Sequence, residues 1–354
     1  MRRRTIPHTP VELTELGFGA SVIGNLYRET SAEDAAAAVT AAWDAGIRYF
    51  DTAPHYGLGL SERRLGEALA DRPRDAYVVS SKAGRLLVPN ESPRGRDTEG
   101  FAVPDELRRQ WDFSRDGILR SLEDTLRRTG LDRLDLVYLH DPDLHWEQAA
   151  GEAMPTLADL RDQGVVGAIG AGMNQSAMLT RFLRETAADV VMLAGRYTLL
   201  DQSALDDVLP AAVESGKAVV AAGVFNSGLL ARDRPVPGLT YDYAEAPAAL
   251  VDRARRLAEV CEAHGTTLPA AAIAFPLTYP AVVNVTLGMR SADQVRRNAE
   301  LYRTPVPDGL WADLRSEGLI RADAADTWDV PVTLRPNDHP AQPVPPAAAP
   351  RGVH

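Results

Sequence analysis

A carboxylate, a phenol, an amine and an imidazole stand at or just past the ends of three short apolar runs in this chain. Asp51 closes Ile47-Arg48-Tyr49-Phe50-Asp51, and Tyr56 follows in Pro54-His55-Tyr56-Gly57. Lys82 closes Tyr77-Val78-Val79-Ser80-Ser81-Lys82, and His140 closes Leu134-Asp135-Leu136-Val137-Tyr138-Leu139-His140. Singly, each is ordinary: a loop aromatic, a solvated strand-end lysine, a turn-capping aspartate, a half-buried histidine. If the runs are consecutive parallel strands, all four converge on one end of one sheet. A buried lysine needs a partner, and Asp51 is the natural one. A lysine cation beside a phenol favours phenolate and draws the Tyr56 pKa down from about 10. Tyr56 is then a general acid or base nearer neutral pH. His140 can donate a hydrogen bond to a hydroxyl or carbonyl oxygen and orient it. None of the four can carry a hydride, so redox chemistry here calls for a nicotinamide cofactor.

The elements that must position these groups alternate along the chain. Strand-like runs fall at 16–23, 47–51, 77–82, 134–139, 165–170, 189–194, 217–222 and 282–286. They are short, continuous and apolar, as expected of parallel strands covered on both faces. Helical patterns fill the gaps at 32–45, 61–70, 114–129, 147–163, 203–215, 248–264 and 291–303. Ser31, Ser61, Ser114 and Ser291 are the expected N-caps, and Gly46, Gly130, Gly164, Gly216 and Gly265 the stops. About eight βα units in one run predict an α/β fold, a single-domain (β/α)₈ TIM barrel over residues 1–329. A doubly wound sheet is the alternative, but neither Gly17-Phe18-Gly19 nor Gly57-Leu58-Gly59 completes a G-x-G-x-x-G fingerprint. Long loops at 83–113 and 223–247 follow strands three and seven, on the face where barrels build sites. Residues 330–354 are rich in Pro and Ala and read as an extended or disordered tail.

Composition narrows the classes. A net charge of −11 argues against a nucleic-acid or anionic-membrane surface. The run Arg2-Arg3-Arg4 is short and reads as a solvated terminus. The single cysteine, Cys261, forbids an intramolecular disulfide and fits a helical pattern as a small buried hydrophobe. The N-terminus has no apolar stretch of signal-peptide type, and no run is long enough to cross a membrane, so a cytoplasmic protein is expected. No metal site is expected: His140, Asp141 and Asp143 cluster, but Pro142 breaks the spacing and no second histidine pair has ligand spacing. No G-x-S-x-G elbow suggests a hydrolase.

These motifs together resemble the aldo-keto reductases, from about Leu16 to about Tyr302. Phe50-Asp51-Thr52-Ala53-Pro54-His55-Tyr56-Gly57 is similar to the family's Asp/Tyr motif, Ser80-Ser81-Lys82 to its lysine strand, and Asp135-Leu136-Val137-Tyr138-Leu139-His140 to its histidine strand. The resemblance implies a catalytic tetrad of Asp51, Tyr56, Lys82 and His140. It also implies NAD or NADP held in extended form without a dinucleotide-binding domain, the choice between them left open. Implied cofactor residues are Gly172, Asn174, Tyr197, Phe225, Ser227, Gly228, Leu230, Gly288, Arg290, Gln294 and Asn298. Three positions depart from the family: Gly172 where serine is usual, Ala194 in place of glutamine, and Ala222 in place of the aromatic that stacks on nicotinamide. Arg290 is the expected partner of a 2′-phosphate.

Within the family, Ala53-Pro54-His55-Tyr56-Gly57, Gly167-Ala168-Ile169-Gly170-Ala171-Gly172-Met173-Asn174-Gln175 and Ala194-Gly195-Arg196-Tyr197 resemble a branch of sugar and pyridoxal dehydrogenases, L-fucose, D-threo-aldose and L-galactose dehydrogenases among them. That resemblance implies oxidation of the C1 hydroxyl of an aldopyranose to a lactone. Tyr27, His55, Trp111 and Phe113 are the expected pocket walls, aromatic faces suiting the C–H side of a sugar. The expected partner is a small sugar or aldehyde, with no nucleic acid and no membrane. Two other readings stay open: an NADPH-dependent aldehyde or ketone reductase, and a nicotinamide-binding regulatory subunit with little turnover.

Overall fold

In the computed structural model, which describes residues 1–241 and 244–325, eight parallel strands close on themselves. They are β1 (Leu16–Gly19), β2 (Tyr49–Asp51), β3 (Val78–Ala83), β4 (Leu136–His140), β5 (Ala168–Met173), β6 (Val190–Ala194), β7 (Ala218–Ala222) and β8 (Val282–Gly288). Each pairs with its neighbour in chain order, β8 pairs with β1, and the doubly wound alternative is thereby excluded. Both faces of every strand are covered, which is why the runs look continuously apolar. Tyr49, Leu136, Tyr138, Ala168, Val190, Met192, Ala218 and Val220 fill the barrel interior. Phe50, Val79, Val137, Leu139, Ile169, Val191 and Val219 face the surrounding helices. The period of two then turns Asp51, Lys82, His140, Gly172, Ala194 and Ala222 inward at the C-terminal mouth.

Two strands depart from expectation. β5 begins three residues after the predicted 165, because Gly164 (φ 73°) and the close approach of Gly167 to Val11 and Asp135 hold 164–167 as a turn. Within β5, Gly170 is required by packing: a Cβ there would lie 1.8 Å from the Val190 carbonyl oxygen. β1 ends at Gly19, and Ala20–Gly24 is a 3₁₀ turn that carries the chain out toward the mouth.

The helices largely follow the predicted spans. Ala32–Asp44 is capped by Ser31, Arg115–Thr129 by Ser114 and Ala292–Arg303 by Ser291. Ser61 is not a cap. Helix Leu60–Leu69 starts after Gly59 (φ 81°), and the buried Ser61 hydroxyl donates to Ala20 O at 2.8 Å and meets Thr52 Oγ1 at 2.8 Å. The segment read as 147–163 is Trp146–Asp162 with a π-helical turn at Ala149–Ala153. The segment read as 203–215 splits at Asp207 into a 3₁₀ turn and helix Val208–Glu214. Helices Ser176–Glu185, Leu268–Ala274 and Asp308–Ser316 were not anticipated. The first long loop holds an antiparallel hairpin, Arg85–Pro89 with Leu107–Trp111, and the second a short one, Thr240–Tyr241 with Ala244–Glu245. The predicted tail, 330–354, lies outside the described residues.

The arginine run at the start is also corrected. Arg3–Thr5 pairs with Glu12–Thr14, and the buried Ile6, Val11 and Leu13 of this hairpin plug the barrel floor. Arg4 is nearly buried and donates to Glu15 Oε1 at 2.7 Å, Val282 O at 2.9 Å and Leu277 O at 3.1 Å. Glu15, wholly buried, also receives Arg2 Nε at 2.9 Å and the Tyr302 hydroxyl at 2.7 Å. Arg4, followed by Tyr302 and Arg2, outweighs burial and holds the Glu15 carboxyl below its usual range. Removing one partner from a buried carboxylate is strongly destabilising. Arg4→Ala should therefore lower stability to urea by about 3 kcal/mol and leave kcat unchanged, since the mouth is at the other end. A loss under about 0.5 kcal/mol, the level of an ordinary surface change, would contradict this account.

Candidate active site

The four sequence-predicted groups meet at the barrel mouth. Lys82 Nζ donates to Asp51 Oδ1 at 2.8 Å, Asp51 Oδ2 at 2.7 Å and Thr52 O at 3.0 Å. Ser80 Oγ adds a donor to Asp51 Oδ1 at 2.8 Å and itself meets Tyr49 Oη at 2.9 Å. Both charged side chains are within 4% of complete burial. Burial works against the Lys82 charge, yet the Asp51 carboxylate outweighs it and holds the lysine above its usual pKa. The ammonium lies 4.7 Å from the centre of the Tyr56 ring. It acts on Tyr56 through its field and through a side-chain hydrogen bond, both of which work to lower the phenol's pKa.

The expected downward shift of Tyr56 is not found. Burial raises its pKa, Lys82 opposes, and Asp51 and Asp141 add to the rise, so the phenol is neutral at rest. The first reason is burial, which outweighs Lys82, and Asp51 beside that lysine adds to the rise. His140 is in edge contact with Tyr56, ring centres 5.8 Å apart. Burial, followed by Arg85, His55 and Lys82, lowers its pKa well below the ordinary value, so the imidazole is neutral. His140 Nδ1 has no hydrogen-bond partner, whereas Nε2 lies 3.7 Å from Asp141 Oδ2. The carboxylate favours the tautomer with the proton on Nε2.

A cavity of about 640 Å³ opens over these groups. Its far side is Gly172, Asn174, Met192, Ala194 and Ala222, where small side chains leave room for a flat ring. Tyr27, His55 and Phe101 wall the other side. The loop after β3 reaches the loop after β1 to close that wall: Tyr27 N donates to Gly100 O at 2.7 Å and Ala102 N to Asn25 O at 2.9 Å. Arg109 Nη2 reaches back to His55 O at 2.9 Å and is paired with Asp97. Arg85 Nη1 lies 3.3 Å from His55 Nδ1; a guanidinium only donates, so Nδ1 accepts and Nε2 carries the proton. Burial, then Arg85, Arg109 and Lys82, push the His55 pKa down to about 2.

Two expected walls are corrected. Phe113 is wholly buried and packed so tightly on Gly84 that a Cβ there would lie 2.2 Å from its ring. Trp111 is 43% exposed, stacks on Phe113 and carries Arg85 4.2 Å above its ring, outside the cavity. Tyr197 is likewise a core residue, buried against Phe275 and Tyr279 with ring centres 4.9 and 5.8 Å apart. Missed by the sequence reading were Met192, Glu99, Phe101, Asp141 and Asp143, all on the cavity. Of these only Asp141 and Asp143 carry a local signal, their clustering with His140.

The remaining predicted cofactor residues lie on loops at the same mouth. Phe225 is half-buried against the core and Leu230 is buried in it. Between them Asn226 and Ser227 adopt left-handed backbone (φ 45° and 56°), followed by Gly228 (φ 97°). Among the described residues a Cβ on Gly228 would meet nothing within 4 Å, which leaves room there for a close approach to the backbone. Gly288 ends β8, and Arg290, Gln294 and Asn298 follow it. A second cavity of about 290 Å³ is bordered by Arg28, Glu29, Thr30, Asp34, Arg290, Ser291 and Gln294. The Arg290 guanidinium turns inward, donating to Leu26 O at 2.7 Å, Arg28 O at 3.0 Å and Val22 O at 3.3 Å, and to Thr30 Oγ1. Gln294 Oε1 is occupied by Arg290 N at 2.7 Å. These residues fit an extended dinucleotide lying from the β5–β7 rim to the start of helix Ala292–Arg303.

Comparison with known proteins agrees with this geometry. The model of the aldo/keto reductase family matches residues 15–317. The chain is 52% identical to D-threo-aldose 1-dehydrogenase of a Pseudomonas species over 309 residues, 86% of this chain and 94% of that relative. It is 39% identical to pyridoxal 4-dehydrogenase of Microbacterium luteolum, over 90% of this chain and 98% of that protein. Among solved structures, the holo form of an aldo-keto reductase from Bacillus halodurans superposes with a TM-score of 0.70 at 26% identity, covering 93% of this chain and 98% of that one. The chain belongs to the aldo/keto reductase family and is an NAD(P)-dependent oxidoreductase.

Proposed function

We propose that this enzyme oxidises the C1 hydroxyl of an aldopyranose of the L-fucose or D-threo-aldose kind to its lactone. The observation that carries the reading is the buried Asp51–Lys82 pair beside Tyr56 and His140 on the floor of one cavity. The names of the two relatives support the direction: one is a dehydrogenase of aldoses, the other of pyridoxal. Both substrates carry an aldehyde carbon. Such a carbon can lose a hydride only as a hemiacetal or hydrate, which brings a hydroxyl proton for the protein to remove.

The bound nicotinamide supplies the hydride acceptor and a positive charge near the phenol. The chain's own residues handle the proton. His140 Nε2 donates to the C1 oxygen and fixes it. Tyr56 Oη takes the hydroxyl proton as the C1–H electron pair leaves and the C1–O double bond forms. Lys82 favours the phenolate by its field, and Asp51 keeps that lysine charged and in place. In reduction, Tyr56 returns the proton to the alkoxide. Gly172, Asn174, Ala194 and Ala222 are assigned to the nicotinamide end, Ser227, Gly228 and the backbone at Leu230 to the pyrophosphate, and Gly288, Gln294 and Asn298 to the adenosine end.

Arg290 is reassigned. With its Nη donors spent on carbonyls and Thr30, it has little left for a 2′-phosphate, and Glu29 and Asp34 add acid to the same cavity. Carboxylates there accept from ribose hydroxyls, as suits NAD.

Three measurements test these assignments. Tyr56→Phe should cut kcat for sugar oxidation at least about 100-fold, the scale of general acid–base catalysis, while the Kd for NAD stays within about threefold; an active variant would sink the assignment. Because oxidation needs the Tyr56 phenolate and burial raises its pKa, log kcat/KM should climb between pH 6 and 9 with a slope no greater than one. His55 and His140 are already neutral and add no second proton. A flat or falling oxidation profile would count against Tyr56 as the base. Calorimetric titration should give a Kd for NAD at least about tenfold below that for NADP, the scale of one charge-assisted hydrogen bond. Equal or tighter NADP binding would overturn the reading of the second cavity.

A further inference from the structure

Asp141, which sets the His140 tautomer, shares the cavity wall with two other carboxylates, Glu99 and Asp143, and the chemistry above gives it no contact with substrate. It is the residue after His140 and adopts φ 42°, a left-handed conformation that non-glycine residues rarely take, and directly before Pro142, which biases its predecessor toward extended backbone. Such a conformation is costly and persists only where the surroundings impose it. Here they do: Asp141 N donates to Gly172 O at 3.0 Å across the β4–β5 mouth. The carboxylate is gripped by Arg85 Nη2, and Arg85 is itself fixed against Trp111 and His55. The result is an immobilised carboxylate, still 38% exposed, on the wall of the cavity that holds Tyr56, Lys82 and His140.

Its placement has a chemical consequence. Asp141 Oδ2 is 3.7 Å from His140 Nε2, the atom that donates to the reacting oxygen. A carbonyl substrate with an apolar neighbour would leave this carboxylate facing a C–H group, desolvated and with no donor from the substrate to add to Arg85, which is unfavourable. A substrate with a hydroxyl on the adjacent carbon has its second oxygen one vicinal step from the first, and a carboxylate this close to His140 Nε2 is within reach of it. We propose that Asp141 is a specificity residue, accepting a hydrogen bond from the hydroxyl next to the reacting carbon and so selecting vicinally hydroxylated, sugar-like substrates. This rests on the dehydrogenase reading above.

The test compares D-arabinose with 2-deoxy-D-ribose, which lacks only the C2 hydroxyl, in wild type, Asp141→Ala and Asp141→Asn. Wild type should prefer the hydroxylated sugar in kcat/KM by about 10- to 100-fold, the scale of a hydrogen bond to a charged acceptor. In Asp141→Ala the two sugars should come within about threefold, because the loss on D-arabinose exceeds any loss on 2-deoxy-D-ribose. Asp141→Asn, which keeps the side chain's shape, should shrink the ratio in the same sense. An undiminished ratio in both variants overturns the proposal. So does an equal loss on both sugars, which would make Asp141 only a support for His140. If wild type oxidises neither these sugars nor L-fucose in a Tyr56-dependent way, the dehydrogenase reading itself falls, and the proposal with it.

Discussion

The ion pair of Lys82 and Asp51 is the constraint around which the mouth of this barrel is built. Two full charges lie almost entirely out of water, a placement whose desolvation cost is offset only when geometry and hydrogen bonding are complete. They are complete here: both carboxylate oxygens and Thr52 O accept from the ammonium, and Ser80 adds a donor to the acid. Below the pair, Ser80 leads to Tyr49 and Tyr49 to Tyr138, so the polar column is anchored in the packed interior. Short strands make this possible. β2 is three residues long, so Asp51 is both inward-facing and terminal, and the chain turns at once to bring Tyr56 back over Lys82.

That pair accounts for the state of the tyrosine. A lone lysine would supply a full positive field, but a neutralised one supplies a dipole, and burial of the phenol then decides its pKa. The resting site is therefore electrically quiet. A cationic nicotinamide bound beside it would add to the Lys82 field and favour the phenolate. The packing asymmetry around the mouth serves the same end. Large polar side chains on β2 to β4 occupy one side, while Gly172, Ala194 and Ala222 on β5 to β7 leave the other side open at the level of Tyr56.

Much of this was legible in the chain because strand-end chemistry in a barrel is a matter of period and order. Once eight βα units are counted, Asp51, Lys82 and His140 have to share a face. What was not legible depended on long-range packing. Nothing local distinguishes Phe113, sealed against Gly84, from a cavity wall, and Tyr197 beside a rim residue looks like a stacking group until Phe275 and Tyr279 close over it. The arginines at the start looked solvated because their acid, Glu15, and their carbonyls, Val282 and Leu277, are close in space only after the barrel has closed. The direction of the Tyr56 shift failed for the same kind of reason. The sequence names the lysine beside the phenol, but burial and the completeness of the lysine's own pairing are tertiary facts.

The hairpin after β3 converts this shared framework into an individual site. It delivers Arg85 and Arg109 to the mouth, and the two cations act on the histidines in a way their own carboxylate partners do not cancel. A protonated His140 would bring a second cation to the reacting oxygen and stabilise an alkoxide in place. A neutral one donates a hydrogen bond without adding charge, so the proton must travel to Tyr56. The same arginines then fix carboxylates around the opening, Arg85 holding Asp141 and Arg109 holding Asp97. Cations that would otherwise repel the cofactor's positive ring are thereby screened at the rim, while their field still reaches the imidazoles beneath. The division of labour follows from distance: paired charges cancel far away and remain unequal close by, and the two histidines are the groups close enough to feel the difference.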